Sequence, residues 1–237
     1  MAVNINTVYQ KVLAFANKEQ RGYITPQEFN LYANQAQIEI YEQYHYDVNN
    51  FELRDASDNL NSDTTALTRQ KLDFFITTDP AGVVNNYSSS GGGLVLPVEV
   101  YRLSRVDISG DHAEYVDTNR FKDTITSGPL VRPSTSRPIY TTHDGILKVN
   151  NGASVTVGIE IDYYRLPATV SWGYFVISGK ALYDSSLTKT THFELHAAEE
   201  SELVYRILAF AGISMQKPAL TQAAVSLEST KVQQEKQ

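Results

Sequence analysis

Two histidines near the C-terminal end have the spacing of a metal site. His192 and His196 lie four residues apart in a segment predicted to be helical, and Glu199 follows about one turn later. On a helix this spacing places the side chains on one face, as a zinc site requires. The zinc-protease patterns need Glu directly after the first His or directly before the second, where this chain has Phe193 and Leu195. We therefore favour the simpler interpretation, a polar first helical turn, and expect no metal.

The stretch Asn17–Glu28 has the outline of a calcium-binding loop. Gly22 stands at its sixth position and Glu28 at its twelfth, as in an EF-hand. Arg21 occupies the fifth position, where an oxygen ligand is required, and its positive charge would oppose the ion. A glycine turn followed by a capped helix explains the same residues, so no calcium site is expected.

The sequence lacks the familiar catalytic patterns. No Gly-x-Ser-x-Gly elbow frames a nucleophile, and Gly91–Gly93 precede Leu94 rather than the Lys-Ser/Thr of a phosphate-binding loop. The chain has no cysteine, which excludes thiolate nucleophiles and cysteine zinc sites. We therefore expect no catalytic residues, no cofactor and no enzymatic activity.

Length and charge set further limits. The 237 residues are 42% hydrophobic, enough for one large domain or two small ones. The formal net charge of −7 argues against a nucleic-acid reader, which normally carries a basic excess. No apolar run approaches about 20 residues, so no membrane association is expected. The N-terminal sequence lacks the apolar stretch of a signal peptide, which predicts a soluble, cytoplasmic product.

The elements that must position any site begin with two N-terminal helices. Asn6–Lys18 carries apolar residues at helical spacing and predicts the first. The second is predicted to begin at a capping box formed by Thr25 and Glu28, with Pro26 at its first position. It is predicted to end near Asp47–Asn50.

Helical signals return near the C-terminus. Thr191 and Glu194 have capping-box spacing and predict a helix start, and Gly212 predicts its end. Pro218 is predicted to open a last helix, and the tail Glu228–Gln237 is polar.

The middle of the chain has β character. Ser154–Tyr164 alternates apolar and polar residues and predicts a half-buried strand. Ile146–Val149 is predicted to be its hairpin partner across the turn Asn150–Gly152. Val98–Ile108 and Ile139–Thr142 are further predicted strands.

A basic segment lies within this region. Its prolines, Pro129, Pro133 and Pro138, favour an extended segment over a helix between residues 120 and 138. Its cations suit contact with phosphates or with an acidic neighbouring subunit, and a solvated loop is the alternative. The four cations are Arg120, Lys122, Arg132 and Arg137.

These signals together predict an α+β fold. Residues 1–50 and 190–237 are expected to form one helical bundle, and residues 51–189 an inserted antiparallel β subdomain with flexible loops, including Asn85–Gly93. The apolar stripe of the second helix is widened by Leu31 and Ile38, which predicts neighbours on more than one side.

Three stretches resemble a known class of virion protein. They cover about a third of the chain: Val8–Tyr44 (VYQKVLAFANKEQRGYITPQEFNLYANQAQIEIYEQY), Ile159–Tyr174 (IEIDYYRLPATVSWGY) and His192–Ile213 (HFELHAAEESELVYRILAFAGI). Together they are similar to head-to-tail adaptor or ring proteins of short-tailed bacteriophages, especially the crAss-like phages.

The resemblance implies a structural role in the virion. Such adaptors form dodecameric rings below the portal protein, join it to the next tail or ring protein, and let DNA pass through the lumen without specific binding. Their C-terminal segment contacts the portal, and no catalytic residues come with the family. The residues that would take this portal-binding role are Pro218, Leu220, Ala224, Leu227 and Lys231.

Contacts between rings or subunits are expected elsewhere in the chain. Our candidates are the residues of the basic segment and of the flexible loop, namely Tyr87, Arg120, Lys122, Arg132 and Arg137. Trp172, beside Tyr174 and Phe175, leaves a second class open, a tail-associated glycan-binding module. We favour a buried anchor for Trp172.

Overall fold

The structure is a computed structural model. It describes residues 3–18, 24–54, 62–79, 87–88, 93–128, 130–152, 158–186, 188–214, 222 and 224–230. Residues 19–23 of the calcium-like stretch, most of the loop Asn85–Gly93 and residues 153–157 of the predicted long strand lie outside these ranges.

The described part of the chain has an α+β fold, as predicted. The helices are α1 Ile5–Lys18, α2 Pro26–Arg54, α3 Ser62–Asp73, α4 Thr118–Thr126, α5 Glu200–Ser214 and α6, residues 224–230. The strands are β1 Ile76–Asp79, β2 Tyr87–Ser88, β3 Gly93–Val95, β4 Val100–Ile108, β5 Asp111–His112, β6 Glu114–Tyr115, β7 Ile139–His143, β8 Ile146–Asn150, β9 Ile159–Arg165, β10 Tyr174–Ile177 and β11 Lys180–Tyr183.

The chain divides into two compact units. Unit 1 consists of Met1–Phe74 with Pro167–Gln237, and unit 2 consists of Phe75–Leu166. The sequence prediction placed these divisions at residues 50/51 and 189/190. Unit 1 thus also contains α3 and the hairpin β10–β11.

Helices from both ends of the chain form unit 1. α2 packs on α3 and α5, and α1 packs on α5. The buried apolar residues recur at helical spacing, which is why these amphipathic segments form a common core. That core includes Val8, Val12, Phe29, Ala33, Ile40, Tyr41, Leu203, Ile207 and Ala211.

The predicted start of α2 is confirmed. The Thr25 hydroxyl accepts a hydrogen bond from the Glu28 amide at 3.2 Å, and the Glu28 carboxylate accepts one from the Thr25 amide at 2.9 Å. This reciprocal box satisfies amides that have no partner inside the helix. The predicted end is wrong, because α2 continues through Asp47–Asn50 to Arg54.

Side-chain amides of α2 hold an extended segment as a strand would. Asn34 donates from Nδ2 to the Val170 carbonyl and accepts at Oδ1 from the Val170 amide, both at 2.9 Å. Asn30 accepts from the Trp172 amide at 2.8 Å. Because an Asn side chain both donates and accepts, it replaces a neighbouring strand.

Gln37 extends the same arrangement by donating to the Ala168 carbonyl at 2.9 Å. The spacing explains the match of Asn30 and Asn34 with residues 172 and 170, because four helical residues rise about 6 Å and two extended residues about 6.6 Å. We call Asn30, Asn34 and Gln37, with their partners in residues 168–172, the amide ladder.

Unit 2 contains two sheets. The first has the strand order β1-β9-β4-β5, and the second has the order β2-β3-β8-β7-β6. All recorded pairs are antiparallel except β6–β7, which is parallel. The predicted antiparallel subdomain is therefore correct apart from this pair.

The core of unit 2 follows from alternation along its strands. Ile159, Ile161 and Tyr163 of β9 are buried, and the intervening residues point away. They pack with Val106 and Ile108 of β4. The predicted alternating strand is confirmed for these residues.

The predicted hairpin between β8 and β9 is wrong. β8 pairs instead with β7, in a register that joins His143 to Ile146 across Asp144 and Gly145. Asp144 has a φ of 52° and Gly145 a φ of 69°. Two positive φ values make a turn whose twist matches that of the strands, and Asp-Gly is a preferred sequence for it.

The predicted extended conformation of residues 120–138 is wrong in its first part, because α4 occupies Thr118–Thr126. Asp117 caps this helix by accepting from the Asn119 amide at 2.8 Å. Phe121 of α4 is buried and anchors the helix. Since the first proline follows α4, it does not prevent the helix.

The start and end predicted for the penultimate helix are also wrong. Thr191 forms a bridge with Ser171, and the Glu194 carboxylate accepts from the Ala168 amide at 2.8 Å. A short 3-10 turn, Ala197–Glu199, leads into α5, which continues past Gly212.

Candidate functional site

The structure brings two of the predicted contact residues together. Arg120 on α4 and Arg137 line one cleft of about 500 Å³ in unit 2. Arg137 Nη2 lies 3.1 Å from a Glu114 carboxylate oxygen in the same cleft, and both side chains are more than half exposed. An ion pair this exposed contributes little to stability, so the cations remain available to a partner.

The other predicted contact residues lie outside this cleft lining. Lys122 and Arg132 are exposed, on α4 and on the loop that follows it. Tyr87 belongs to β2. Beside Arg132, Leu130 is 93% exposed, which gives the loop an apolar tip next to the cations.

A second groove in unit 2 is lined by tyrosines. Its volume is about 580 Å³, and its lining includes Tyr101, Tyr115, Tyr140 and Asp144. Tyr115 and Tyr140 meet edge to face with ring centroids 5.5 Å apart. Burial raises the pKa of the Tyr140 phenol, and Tyr115 raises it further. The phenol is thus held neutral as a hydrogen-bonding group.

Trp172 is a buried anchor, as we predicted, and not an aromatic platform. The side chain is only 2% exposed. Its Nε1 donates to Asn6 Oδ1 at 3.1 Å, and its ring lies 4.3 Å from that of Tyr9. Tyr174 and Tyr183 stack on the same ring. Trp172 is therefore unavailable to a glycan.

The predicted placement of His192 and His196 on one helical face is wrong, because both precede the 3-10 turn. His192 Nδ1 accepts from the Ile5 amide at 3.3 Å. His196 caps the 3-10 turn, with Nδ1 accepting from the Ala198 amide at 3.2 Å. In these bonds both histidines accept from backbone amides, His192 from a distant helix start and His196 from its own turn.

A buried arginine joins three helices of unit 1. Arg206 of α5 donates to Glu202 at 2.7 Å and to Glu39 of α2 at 3.3 Å. Its Nη2 also lies 3.3 Å from Glu228 of α6. Burial raises the pKa of Glu228; Arg206 opposes this rise, and Glu202 and Glu39 add to it. We call these four residues the Arg206 cluster.

The predicted portal-binding residues fall on and around α6. Ala224 is buried at 3% exposure, so in this conformation it contacts its own chain. Leu227 is 47% exposed and its neighbour Val225 is 50% exposed. Pro218, Leu220 and Lys231 lie outside the described residues.

The hairpin β10–β11 carries uncovered apolar side chains that the sequence analysis missed. Val176 is 63% exposed and Ile177 is 55% exposed. The turn between the strands is Ser178–Gly179, both with positive φ. A Ser-Gly dipeptide after an apolar run is the sequence signal that would have identified it.

α2 also has an uncovered apolar surface. Leu31 is 71% exposed and Ile38 is 39% exposed. The prediction of neighbours on more than one side of α2 is confirmed, because α2 contacts α3, α5 and the segment 168–172. Leu31 and Ile38 themselves remain exposed in this chain.

Within the described ranges, no group of three or more His, Asp or Glu side chains is placed to hold a metal ion. No helix of those ranges is long and apolar enough to cross a membrane. No family model matches the chain, and no curated protein is significantly similar to it.

Proposed function

We propose that the chain is a structural subunit of the head-to-tail connector in a short-tailed bacteriophage virion. It assembles into a ring below the portal protein and joins the capsid to the next tail component. It is made in the host cytoplasm and acts in the virion. The proposal is supported by the similarity of Val8–Tyr44, Ile159–Tyr174 and His192–Ile213 to head-to-tail adaptor or ring proteins.

The observation that carries an assembly role is the uncovered apolar surface of unit 1. Phe175, Ile177 and Leu182, on one face of the hairpin β10–β11, are between 40% and 55% exposed. Contiguous exposed apolar side chains on a folded unit mark surfaces that bind other proteins. A ring subunit needs such surfaces for its lateral neighbours.

The portal contact is assigned to the exposed side of α6. Deleting Pro218–Gln237 would abolish portal docking, but it would also remove Glu228 from the Arg206 cluster and Ala224 from the core. A point change is therefore the sharper test. We expect Leu227→Glu to leave the thermal unfolding temperature unchanged and to abolish capture of the chain by immobilised portal protein.

The matched control is Val98→Glu, which places the same charge at a side chain that is fully exposed in unit 2. Equal capture of the two variants would contradict the portal assignment. Mass spectrometry of purified phage particles tests the function itself, because a connector subunit must be present in the virion. Its absence from the particles would refute the proposal.

A second function is favoured by the tyrosine-lined groove of unit 2. Exposed aromatic rings beside a carboxylate suit the apolar faces and hydroxyls of a sugar, so this groove replaces Trp172 as the site for a tail-associated glycan binder. Titration with glycans of the host surface tests it, with Tyr115→Ala as the site variant. Saturable binding that Tyr115→Ala abolishes would support this function.

A further inference from the structure

The hairpin β10–β11 has two different faces. Cross-strand pairs join Tyr174 to Tyr183 and Phe175 to Leu182. Because side chains alternate along a strand, Tyr174 and Tyr183 share one face, which stacks on Trp172. The opposite face, which we call the hairpin outer face, carries Phe175, Ile177, Lys180 and Leu182.

The hairpin outer face is uncovered. Phe175 is 40% exposed, Ile177 is 55% exposed and Leu182 is 44% exposed. A two-stranded hairpin is only marginally stable by itself, and here just one of its faces is packed. Covering the outer face would remove three large apolar side chains from water.

A complementary surface lies on α2. Since successive helical residues advance by about 100°, Leu31, Ile38 and Glu42 lie within about 40° of one another. Leu31 and Ile38 are exposed apolar residues, and Glu42 is an exposed acidic residue on the same side of α2. We call these three residues the α2 outer stripe.

The other sides of α2 are already occupied. Asn30 and Asn34 hold the extended segment through the amide ladder. Glu39 and Gln43 bind Arg206 on α5. The α2 outer stripe lies between these two occupied sides and contacts solvent.

We propose that the hairpin outer face of one copy docks on the α2 outer stripe of a second copy of this chain. The two surfaces match in chemistry, because each combines apolar residues with one charge, Lys180 on the hairpin and Glu42 on the helix. Every copy carries both surfaces on unit 1, so the contact repeats head to tail and closes a ring when the rotation permits. The contact rests on the proposed function, since it supplies the lateral surface of the ring.

Cross-linking tests the contact directly, because the natural chain has no cysteine. Ile177→Cys and Ile38→Cys are prepared as separate full-length variants, mixed, and treated with a short bis-maleimide. We expect a cross-linked dimer from the mixture and none from either variant alone. Val98→Cys, at a fully exposed residue of unit 2, is the matched control and should cross-link to neither.

Charge reversal tests the pairing of Lys180 with Glu42. Each of Lys180→Glu and Glu42→Lys should weaken self-association by about twofold to fivefold, as expected for one exposed ion pair. The double variant should recover the wild-type association constant in sedimentation equilibrium. Failure of the double variant to recover it would overturn the pairing.

The outcomes separate this contact from the proposed function. A chain that stays monomeric at every soluble concentration, or cross-links only between identical positions, overturns the contact even if phage particles contain the protein. Binding of the hairpin to a different virion protein without self-association overturns it as well. Absence of the chain from phage particles would refute the connector function, whereas a measured cross-link would still support the contact between two copies.

Discussion

At the scale of single residues, Arg206 is a buried charge that links three helices of unit 1. Glu202 is only 4% exposed in its side chain and is held by two hydrogen bonds from this guanidinium. Replacing one member of a buried pair leaves the other charge without compensation. Arg206 therefore contributes to the stability of the three helices that meet here.

We expect Arg206→Met to lower the free energy of unfolding by about 3–5 kcal/mol, because Glu202 then remains buried without its partner. Urea unfolding followed by circular dichroism measures this. The double variant Arg206→Met/Glu202→Leu removes both charges and should recover most of the loss. A single variant with wild-type stability would show that Glu202 does not need Arg206.

Glu228 gives the same cluster a pH dependence. Burial raises the pKa of this carboxyl in the folded chain, so the folded state binds the proton more tightly than the unfolded state. Stability from this group is therefore present at low pH and is lost as the pH rises through the raised pKa. Arg206, Glu202 and Glu39 are the charged groups recorded around it.

We expect Glu228→Gln, a neutral substitute, to be more stable than the wild type at pH 7 by less than about 1 kcal/mol. The difference should vanish below the ordinary Glu pKa of about 4.3, where the wild-type carboxyl is also neutral. Urea unfolding of both proteins across this range measures it. A difference that does not change with pH would contradict the assignment.

At the scale of elements, the amide ladder fixes the extended segment 168–172 to α2. Val170 is buried, and its amide and carbonyl both depend on Asn34. We expect Asn34→Ala to cost about 2–4 kcal/mol, because two buried backbone groups lose their partner. Gln35→Ala, an exposed neighbour, should change stability by less than about 0.5 kcal/mol. Equal effects of the two changes in urea unfolding would contradict the ladder.

The elements that the sequence predicts well are those fixed by local chemistry. The start of α2 needs only Thr25, Pro26 and Glu28, which lie within one helical turn, and the structure confirms it. The alternation of β9 is also local, since one face of a strand must be buried.

The elements predicted wrongly depend on competition between signals. Asn150–Gly152 and Asp144–Gly145 both favour a turn, and only strand pairing shows that the second one joins β7 to β8. The prolines after residue 128 led to the prediction of an extended segment, although no proline lies inside α4 and Asp117, which the prediction did not consider, caps that helix.

The candidate surfaces were less predictable than the fold. The cleft joins Arg120 to Arg137 through chain folding that no spacing in the sequence indicates. The exposure of Leu31 and Ile38 could not be inferred, because an apolar residue on a helix is usually read as a core residue.

At the scale of the whole molecule, the net charge bears on the proposed passage of DNA through a ring. Each copy has 20 basic and 27 acidic side chains, and in the proposed ring this net charge of −7 would add up over the copies. We expect no saturable binding of duplex DNA tighter than about 10⁻⁴ M at physiological salt, because basic excess drives non-specific affinity. An electrophoretic shift assay measures this. Tight binding that weakens steeply with salt would contradict the proposal that DNA passes through the ring without binding to it.

The amide ladder also has a consequence for biosynthesis. Asn34 and its partner Val170 are separated by 136 residues, and unit 2 lies between them in the chain. At a translation rate of about 5–20 residues per second, residues 168–172 are synthesised on the order of ten seconds after α2. Until then, Asn30, Asn34 and Gln37 lack their backbone hydrogen-bond partners in that segment. A polypeptide that terminates early inside unit 2 can never complete this helical unit. Truncated translation products therefore expose unsatisfied side chains and are open to proteolysis, and only full-length chains can form unit 1.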